Sequence, residues 1–291
     1  MAPHERSTSF DATSTAADEK RRSVIDVWAQ ILTLRMASRP WMEPLLRWIG
    51  RSPAEVVATP ESTLQAMDAA GVETALLSAW YGPEGDLISN AEVADQVAVA
   101  PERFRGLASA DLSDPMKAVR EIRRWVDGKR FVGVRIVPWL WGLPPNDRRY
   151  YPIYTACIDA GVPLCTQIGH TGPLRPSETG RLIPYLEEVM LDFPELTVVG
   201  GHVGFPWIDE LTSLTVKFPN FHVDTSAYVL NRLPETFVRW MKGPGAGRVM
   251  FGTNWPMLAP QRCLDGLDSL QLDQKQQDAF LGRNARRVFR L

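Results

Sequence analysis

Histidine is scarce in this chain of 291 residues: there are four, His4, His170, His202 and His222. Imidazole is the side chain best placed for proton transfer near neutral pH and a common ligand of divalent metals, so its positions bound the chemistry. His4 falls in a polar opening stretch with no apolar face. His170 (in QIGHTG) and His202 (in GGHVG) each close a β-rich run, whereas His222 opens one. A metal site of two or three histidines plus a carboxylate would need nearly all of these to converge. Without a metal, His202 is the candidate general acid or base, with His170 as a second imidazole and Asp111 or Asp224 as the carboxylate partner. Gln30, Gln167 and Asn254 offer amide donors to a carbonyl or enolate oxygen, and Arg135 can grip a carboxylate in a fork. Of the 10 tryptophans, Trp28, Trp80, Trp139, Trp141, Trp207 and Trp255 fall at or just beyond the ends of such runs. Indoles in that arrangement suit a flat, partly apolar ligand that the ring N–H groups orient.

Those residues must be positioned by the runs they terminate. SVIDVWAQ (23–30), ETALLSAW (73–80), FRGLASAD (104–111), FVGVRIVP (131–138), PLCTQIGH (163–170), LTVVGGHV (196–203), FHVDTSAY (221–228) and RVMFGTNW (248–255) alternate with amphipathic stretches. Helix punctuation lies between them: Thr59-Pro60-Glu61 opens a helix that Gly71 stops, and Ser113 with Pro115 opens one that ends near Gly128. Eight strand–helix units without an internal linker predict an α/β fold, a single (β/α)8 TIM barrel over residues 23–291. In such a barrel the chemistry sits at the C-terminal strand ends, where every candidate above falls except His222, which belongs to the opposite end. An insertion after the first strand, residues 31–58, carries Trp41, Leu45, Leu46, Trp48 and Ile49 at helical spacing, and is expected to roof the barrel mouth or to join a homodimer. Residues 1–22 read as a flexible tail.

The composition, 45% hydrophobic and 23% charged, is that of a globular chain, and a formal charge of −2 gives no net field toward phosphate backbones or anionic lipid. Nucleic acid and membrane partners are therefore not expected, and a small-molecule substrate is. Cys157, Cys165 and Cys263 are too few and scattered for a disulfide framework, which points to the cytoplasm. No apolar run reaches the roughly 18 residues of a spanning helix.

The segments GVPLCTQIGHTGPLRPSETGRLIPYLEEVMLDFPELTVVGGHVGFPWIDE (161–210), FHVDTSAY (221–228), VMFGTNWPM (249–257) and LGRNARRVFRL (281–291) occur in an order that resembles the amidohydrolase superfamily. The resemblance runs from about residue 23 to the end and lies within the amidohydrolase-2 branch, which includes aminocarboxymuconate semialdehyde decarboxylase and resorcylate decarboxylase relatives. It implies a barrel whose divalent metal is held by His-x-His on the first strand, one His each on the fifth and sixth, and an Asp on the eighth. Here those positions read Trp28 and Gln30, Gln167 (with His170 three residues on), His202 and Asn254. One ligand in five remains and no replacement is anionic, so the sequence predicts a degenerate site with no metal and no other cofactor.

Loss of the ion removes the usual source of a hydroxide nucleophile. The leading expectation is a metal-independent decarboxylase, other lyase or hydrolase acting on a small aromatic or cyclic, partly apolar substrate; the resemblance implies that metal-free lactonases exist in the superfamily. A cyclase or isomerase that orients an apolar substrate among the tryptophans is a second reading, and a non-catalytic ligand-binding barrel a third. The resemblance makes Asp224 structural and leaves Asp111 as the preferred partner of His202.

Overall fold

A computed structural model describes residues 23–291. The tail expected over 1–22 lies outside the described residues. Ten strands form: β1 (Val24–Ala29), β2 (Val72–Ser78), β3 (Trp80–Gly82), β4 (Gly85–Ile88), β5 (Phe104–Ala108), β6 (Phe131–Ile136), β7 (Leu164–Gln167), β8 (Val198–Gly201), β9 (Phe221–Asp224) and β10 (Val249–Met250). Eight make one parallel sheet in the order β1-β2-β5-β6-β7-β8-β9-β10, each at a run read from the sequence. The sheet closes on itself where Val27 N donates to Phe251 O (3.0 Å), Asn254 N to Trp28 O (2.8 Å) and Gln30 N to Trp255 O (3.1 Å). The product is a TIM barrel. The sequence did not foretell the antiparallel β3–β4 hairpin, which carries Trp80 above the end of β2.

Two apolar layers hold this frame. Ile25, Val27, Leu76, Leu107, Val132, Cys165, Val199 and Met250 come from seven barrel strands and cluster with Ala285, Val288 and Phe289 of the helix Asn284–Phe289. Residues from so many strands can meet only inside the barrel, so that helix plugs its lower end. The strand missing from the list is β9, and register explains why: His222 lies beside Val199 and Asp224 beside Met250, so the interior positions of β9 are polar. Arg135, opposite Cys165, joins them. The larger apolar layer packs helices on the outside of the sheet.

Local signals hold with one correction. Thr59 caps the helix Pro60–Ala70 and Gly71, with φ +67°, ends it. The helix Pro115–Trp125 is capped by Asp114, not Ser113, because proline takes the first helical position and places the cap one residue before it. Ser113 instead donates to Asp111 Oδ1 through its N (2.9 Å) and Oγ (2.6 Å). Within residues 31–58, short helical turns at Leu34–Ala37, Pro40–Met42 and Glu43–Ile49 bury Trp41 and Leu46 while leaving Trp48 79% exposed.

Candidate active site

Two consecutive residues with left-handed backbone, His202 (φ +72°) and Val203 (φ +63°), carry the chain out of β8. Left-handed backbone costs an L-residue roughly 1–2 kcal/mol, and such strain tends to persist where a side chain must be aimed. His202 is aimed at Ser226: its Nδ1 lies 2.6 Å from Ser226 Oγ. Ser226 in turn donates to Asp224 Oδ1 through both its Oγ and its N (2.9 Å). Asp224 and Ser226 stand two apart along one strand line, so they share a face and form a continuous line Asp224–Ser226–His202. Burial pushes the Asp224 carboxyl up to about 6 against the pull of its Ser226 bonds and of Arg135. Burial, with the Arg135 charge adding to it, pushes His202 down to about 3, so its ring is neutral near pH 7. The carboxylate behind His202 is therefore Asp224, and the preference for Asp111 is corrected. Asp111 lies at the rim, accepting from Tyr81 OH (3.2 Å) and Ser113, with Lys117 Nζ 3.8 Å away.

Beneath the imidazole lies a stack that the sequence does not announce. The Trp28 ring is 4.6 Å from that of His202, and the Arg135 guanidinium carbon is 3.4 Å from the centre of the Trp28 ring. Gly201 makes this possible, since a Cβ there would stand 2.1 Å from Trp28 Cζ3. Arg135 and Trp28 are both 0% exposed. Arg135 donates to Val27 O (3.3 Å), while its Nε and Nη1 have no partner among the described residues. It is thus a cation sealed under an indole, not the open carboxylate fork expected at the mouth. Burial pulls its pKa below the ordinary value; Cys165, Asp224 and Asp26 oppose that pull. Asp26, absent from the sequence reading, accepts from Thr253 Oγ1 (2.5 Å), Thr253 N (3.0 Å) and Trp28 N (3.0 Å). Burial raises it to about 7 in spite of these bonds.

Amides and indoles complete the mouth. Gln30 Nε2 donates to Asn254 Oδ1 (3.1 Å) and to Trp255 O, and Asn254 is itself left-handed (φ +70°). Trp139 Nε1 donates to Gln167 Oε1 (2.6 Å), and Gln167 Nε2 donates to His170 O (3.0 Å) and Thr171 Oγ1 (3.2 Å). Trp139 also meets Trp80 (6.1 Å between ring centres) and, edge on, Trp41 of the insertion (5.3 Å). Beside this group a cleft of about 300 Å3 opens between insertion and hairpin, lined by Arg39, Trp41, Leu87, Leu140, Trp141 and Arg175.

Three expected residues lie elsewhere. The His170 side chain is exposed, its Nδ1 3.3 Å from Ser177 Oγ, because its backbone is tied outward to Phe205 O. Trp255 donates to Thr63 Oγ1 (3.0 Å) on the helix Pro60–Ala70 and so braces the barrel wall. Trp141 stacks on Tyr81 (6.4 Å) at the rim, away from His202.

Several buried polar groups in this region lack partners among the described residues. Buried and without hydrogen-bond partners are the N–H groups of Trp28 Nε1, Trp80 Nε1 and Arg135 Nε and Nη1, against two acceptors in the same region, Gln30 Oε1 and Asp224 Oδ2. Buried polar groups are ordinarily satisfied, and Arg135 is sealed under Trp28, so the Trp28 and Trp80 N–H groups are the donors left for a ligand's acceptor oxygens.

A barrel with polar groups gathered at the C-terminal ends of its strands is the architecture of a TIM-barrel enzyme. The chain belongs to the amidohydrolase family, whose model matches residues 25–291. It is 25% identical to the gamma-resorcylate decarboxylase of Rhizobium sp. (strain MTP-10005), over 79% of this chain and 87% of that one. An uncharacterised TIM-barrel protein of Bordetella bronchiseptica superposes with a TM-score of 0.77 at 25% identity, over 91% of this chain and 98% of its own. A dihydroxybenzoic acid decarboxylase of Polaromonas sp. JS666, solved with manganese and 2-nitroresorcinol, gives 0.69 at 20% identity, over 93% and 97%.

That last structure runs against the expected metal independence, since it holds manganese. The residues at the corresponding places in this chain nonetheless do not fit such an ion. Among the described residues no three His, Cys, Asp or Glu side chains come together as a metal group. An indole has no lone pair to give, Gln167 Oε1 is already taken by Trp139, and a guanidinium lies against Trp28 where a second cation would be repelled.

Proposed function

We propose that this protein is a decarboxylase of small hydroxylated aromatic acids, with His202 as the group that hands a proton to the ring. The unpartnered indole N–H groups of Trp28 and Trp80 beside His202 and Trp139 carry the reading, because a carboxylate and its neighbouring phenol oxygens are acceptors on a flat ring that indoles can sandwich. The gamma-resorcylate decarboxylase relative supports the substrate class. Aromatic acids arrive through the cleft between Arg39, Trp41, Trp141 and Arg175, and residues 31–58 act as its roof. No helix among the described residues is long and apolar enough to cross a membrane, and three buried free cysteines suit a cytoplasmic setting.

The reaction replaces a carboxylate by hydrogen: the ring carbon accepts a proton, the bond to the carboxyl carbon breaks with its electrons returning to the ring, and carbon dioxide leaves. Burial opposes an imidazolium at His202, so the proton has to pass without charging the ring. The line Asp224–Ser226–His202 provides for that. Once protonated, Asp224 reverses its bond with Ser226 and gives its proton to Ser226 Oγ, Ser226 gives its own to His202 Nδ1, and Nε2 delivers to the ring carbon while the imidazole stays neutral. Asp224, raised to about 6, keeps a usable proton far closer to neutrality than an ordinary carboxyl. Orphaned Trp28 and Trp80 N–H groups and the half-buried Asn254 amide orient the acid.

Incubation with a panel of ortho-hydroxybenzoates in D2O is expected to release carbon dioxide and to leave one deuterium at the vacated ring position. Absence of turnover across the whole panel would remove the reading. Dialysis against manganese followed by elemental analysis is expected to leave far less than one ion per chain. Near-stoichiometric uptake would mean that other donors close around the ion, and the proton-relay mechanism would give way to a metal one.

A further inference from the structure

The end of the barrel opposite the active site has a hollow of about 430 Å3 whose walls include Gly161, Glu195, Thr197, His222, Arg287 and Arg290. His222 reaches it from the start of β9, an interior position that most other strands fill with an aliphatic side chain. Buried to 3% exposure, its Nδ1 has no hydrogen-bond partner among the described residues. Arg290 lies over the turn before β7, where a Cβ on Gly161 would stand 3.0 Å from Arg290 Nη1. Its guanidinium makes no hydrogen bond among the described residues. Arg287 donates to Gly247 O (2.6 Å) and nearby Arg248 to Pro219 O, both neutral carbonyls. None of the three arginines is ion-paired among the described residues, and the exposed Glu195 does not reach them, although arginines elsewhere on the surface do find carboxylates. The local field is accordingly positive: burial first, then the charges of Arg287 and Arg248, push His222 down to about 3.

Two uncompensated guanidinium groups, Arg287 and Arg290, and an unpartnered buried imidazole around one hollow, with Arg248 nearby, form a pattern for an oxyanion, since guanidinium forks match phosphate oxygens in pairs. We propose that this hollow is a binding site for a phosphate-type oxyanion, free or as the end group of a small metabolite, separate from the active site. Its hydroxyl contact is Thr197, at the entry to β8, and its volume leaves room for a short organic substituent. The site does not depend on the reaction assigned to the barrel mouth.

Calorimetric titration of the whole protein with inorganic phosphate at low ionic strength tests it. Saturable binding of one phosphate per chain is expected, weakened at least about tenfold in Arg290→Gln and further when Arg287→Gln is added. Arg290 is exposed and unbonded, so its substitution leaves folding intact. Arg239→Gln, a change at an exposed arginine paired with Glu235, is expected to bind as the parent does. Tighter binding of glycerol 3-phosphate than of phosphate would identify a phosphorylated metabolite as the ligand, and equal binding the free ion. The proposal is overturned by no saturation below about 10 mM phosphate, by chloride competing at equal strength, or by Arg290→Gln binding unchanged.

Discussion

Ser226→Ala is expected to fold like the parent and to lose turnover by about 10²- to 10⁴-fold, the range that a positioned acid–base group supplies. The side chain removed is small and buried, and its hydroxyl is the sole link between Asp224 Oδ1 and His202 Nδ1. Without it the neutral imidazole can donate from Nε2 only by becoming an anion, or must first take a proton from water and become a cation that its surroundings oppose. Ser226→Thr keeps the hydroxyl and should recover much of the loss. The pH profile separates this role from a merely structural one. With a reservoir carboxyl raised to about 6, parental turnover falls as pH rises through that value, because Asp224 then carries no proton. In Ser226→Ala that limb should vanish, since the reservoir is disconnected. An alanine variant with the same limb and only a few-fold lower turnover would assign His202 its proton from solvent.

Much of this architecture is written in the sequence because each barrel unit is a local pattern. The β-rich runs, the Thr59 and Gly71 helix ends and the polar strand termini all follow from short-range periodicity and capping chemistry, and a closed barrel then dictates which ends carry the site. His202, Gln167, Asn254, Trp28 and Trp139 are accordingly found at the mouth. What is not legible is anything decided by a partner distant in the chain. Arg135 lies at the end of a strand like any mouth residue, but Trp28, 107 positions earlier, folds across it and seals it off. His170 follows its strand by the same rule, yet a backbone bond to Phe205 turns it to solvent. Asp224 looks structural beside His202 until Ser226 joins the two. The signal was present as Asp-x-Ser at a spacing that places both on one face, and as Gly201, a residue without a side chain just where an indole must pass.

Arg135→Met is expected to change stability by an amount that depends on pH. Methionine fills a similar volume, so packing against Trp28 is largely retained. What is lost is a cation that helps to ionise the buried Asp224 carboxyl and is itself favoured by the charges of Asp224 and Asp26. Arg135 makes no ion pair with either carboxyl among the described residues, so the loss is one of longer-range attraction, about 1.4 kcal/mol at pH above the raised values for each unit by which a carboxyl pKa rises. The sign with pH follows from the direction of the shifts. Both carboxyls have folded pKa values raised above the ordinary 3.8, to about 7 for Asp26 and about 6 for Asp224, so each favours the fold when protonated and disfavours it once ionised. Their contribution is present below about 3.8 and is lost as pH rises toward 6 and 7. Removing Arg135 raises both values further and so deepens and prolongs that loss. His202 shifts the other way, lowered by burial and by Arg135 itself; taking the guanidinium away relieves it, which again favours the variant in acid. Urea unfolding of parent and variant should therefore differ most at pH 8 and least near pH 5, and Arg135→Met with Asp224→Asn should recover a large part of the difference at pH 8. A cost equal at both pH values, unmoved by the second substitution, would reduce Arg135 to a space-filling side chain beneath Trp28.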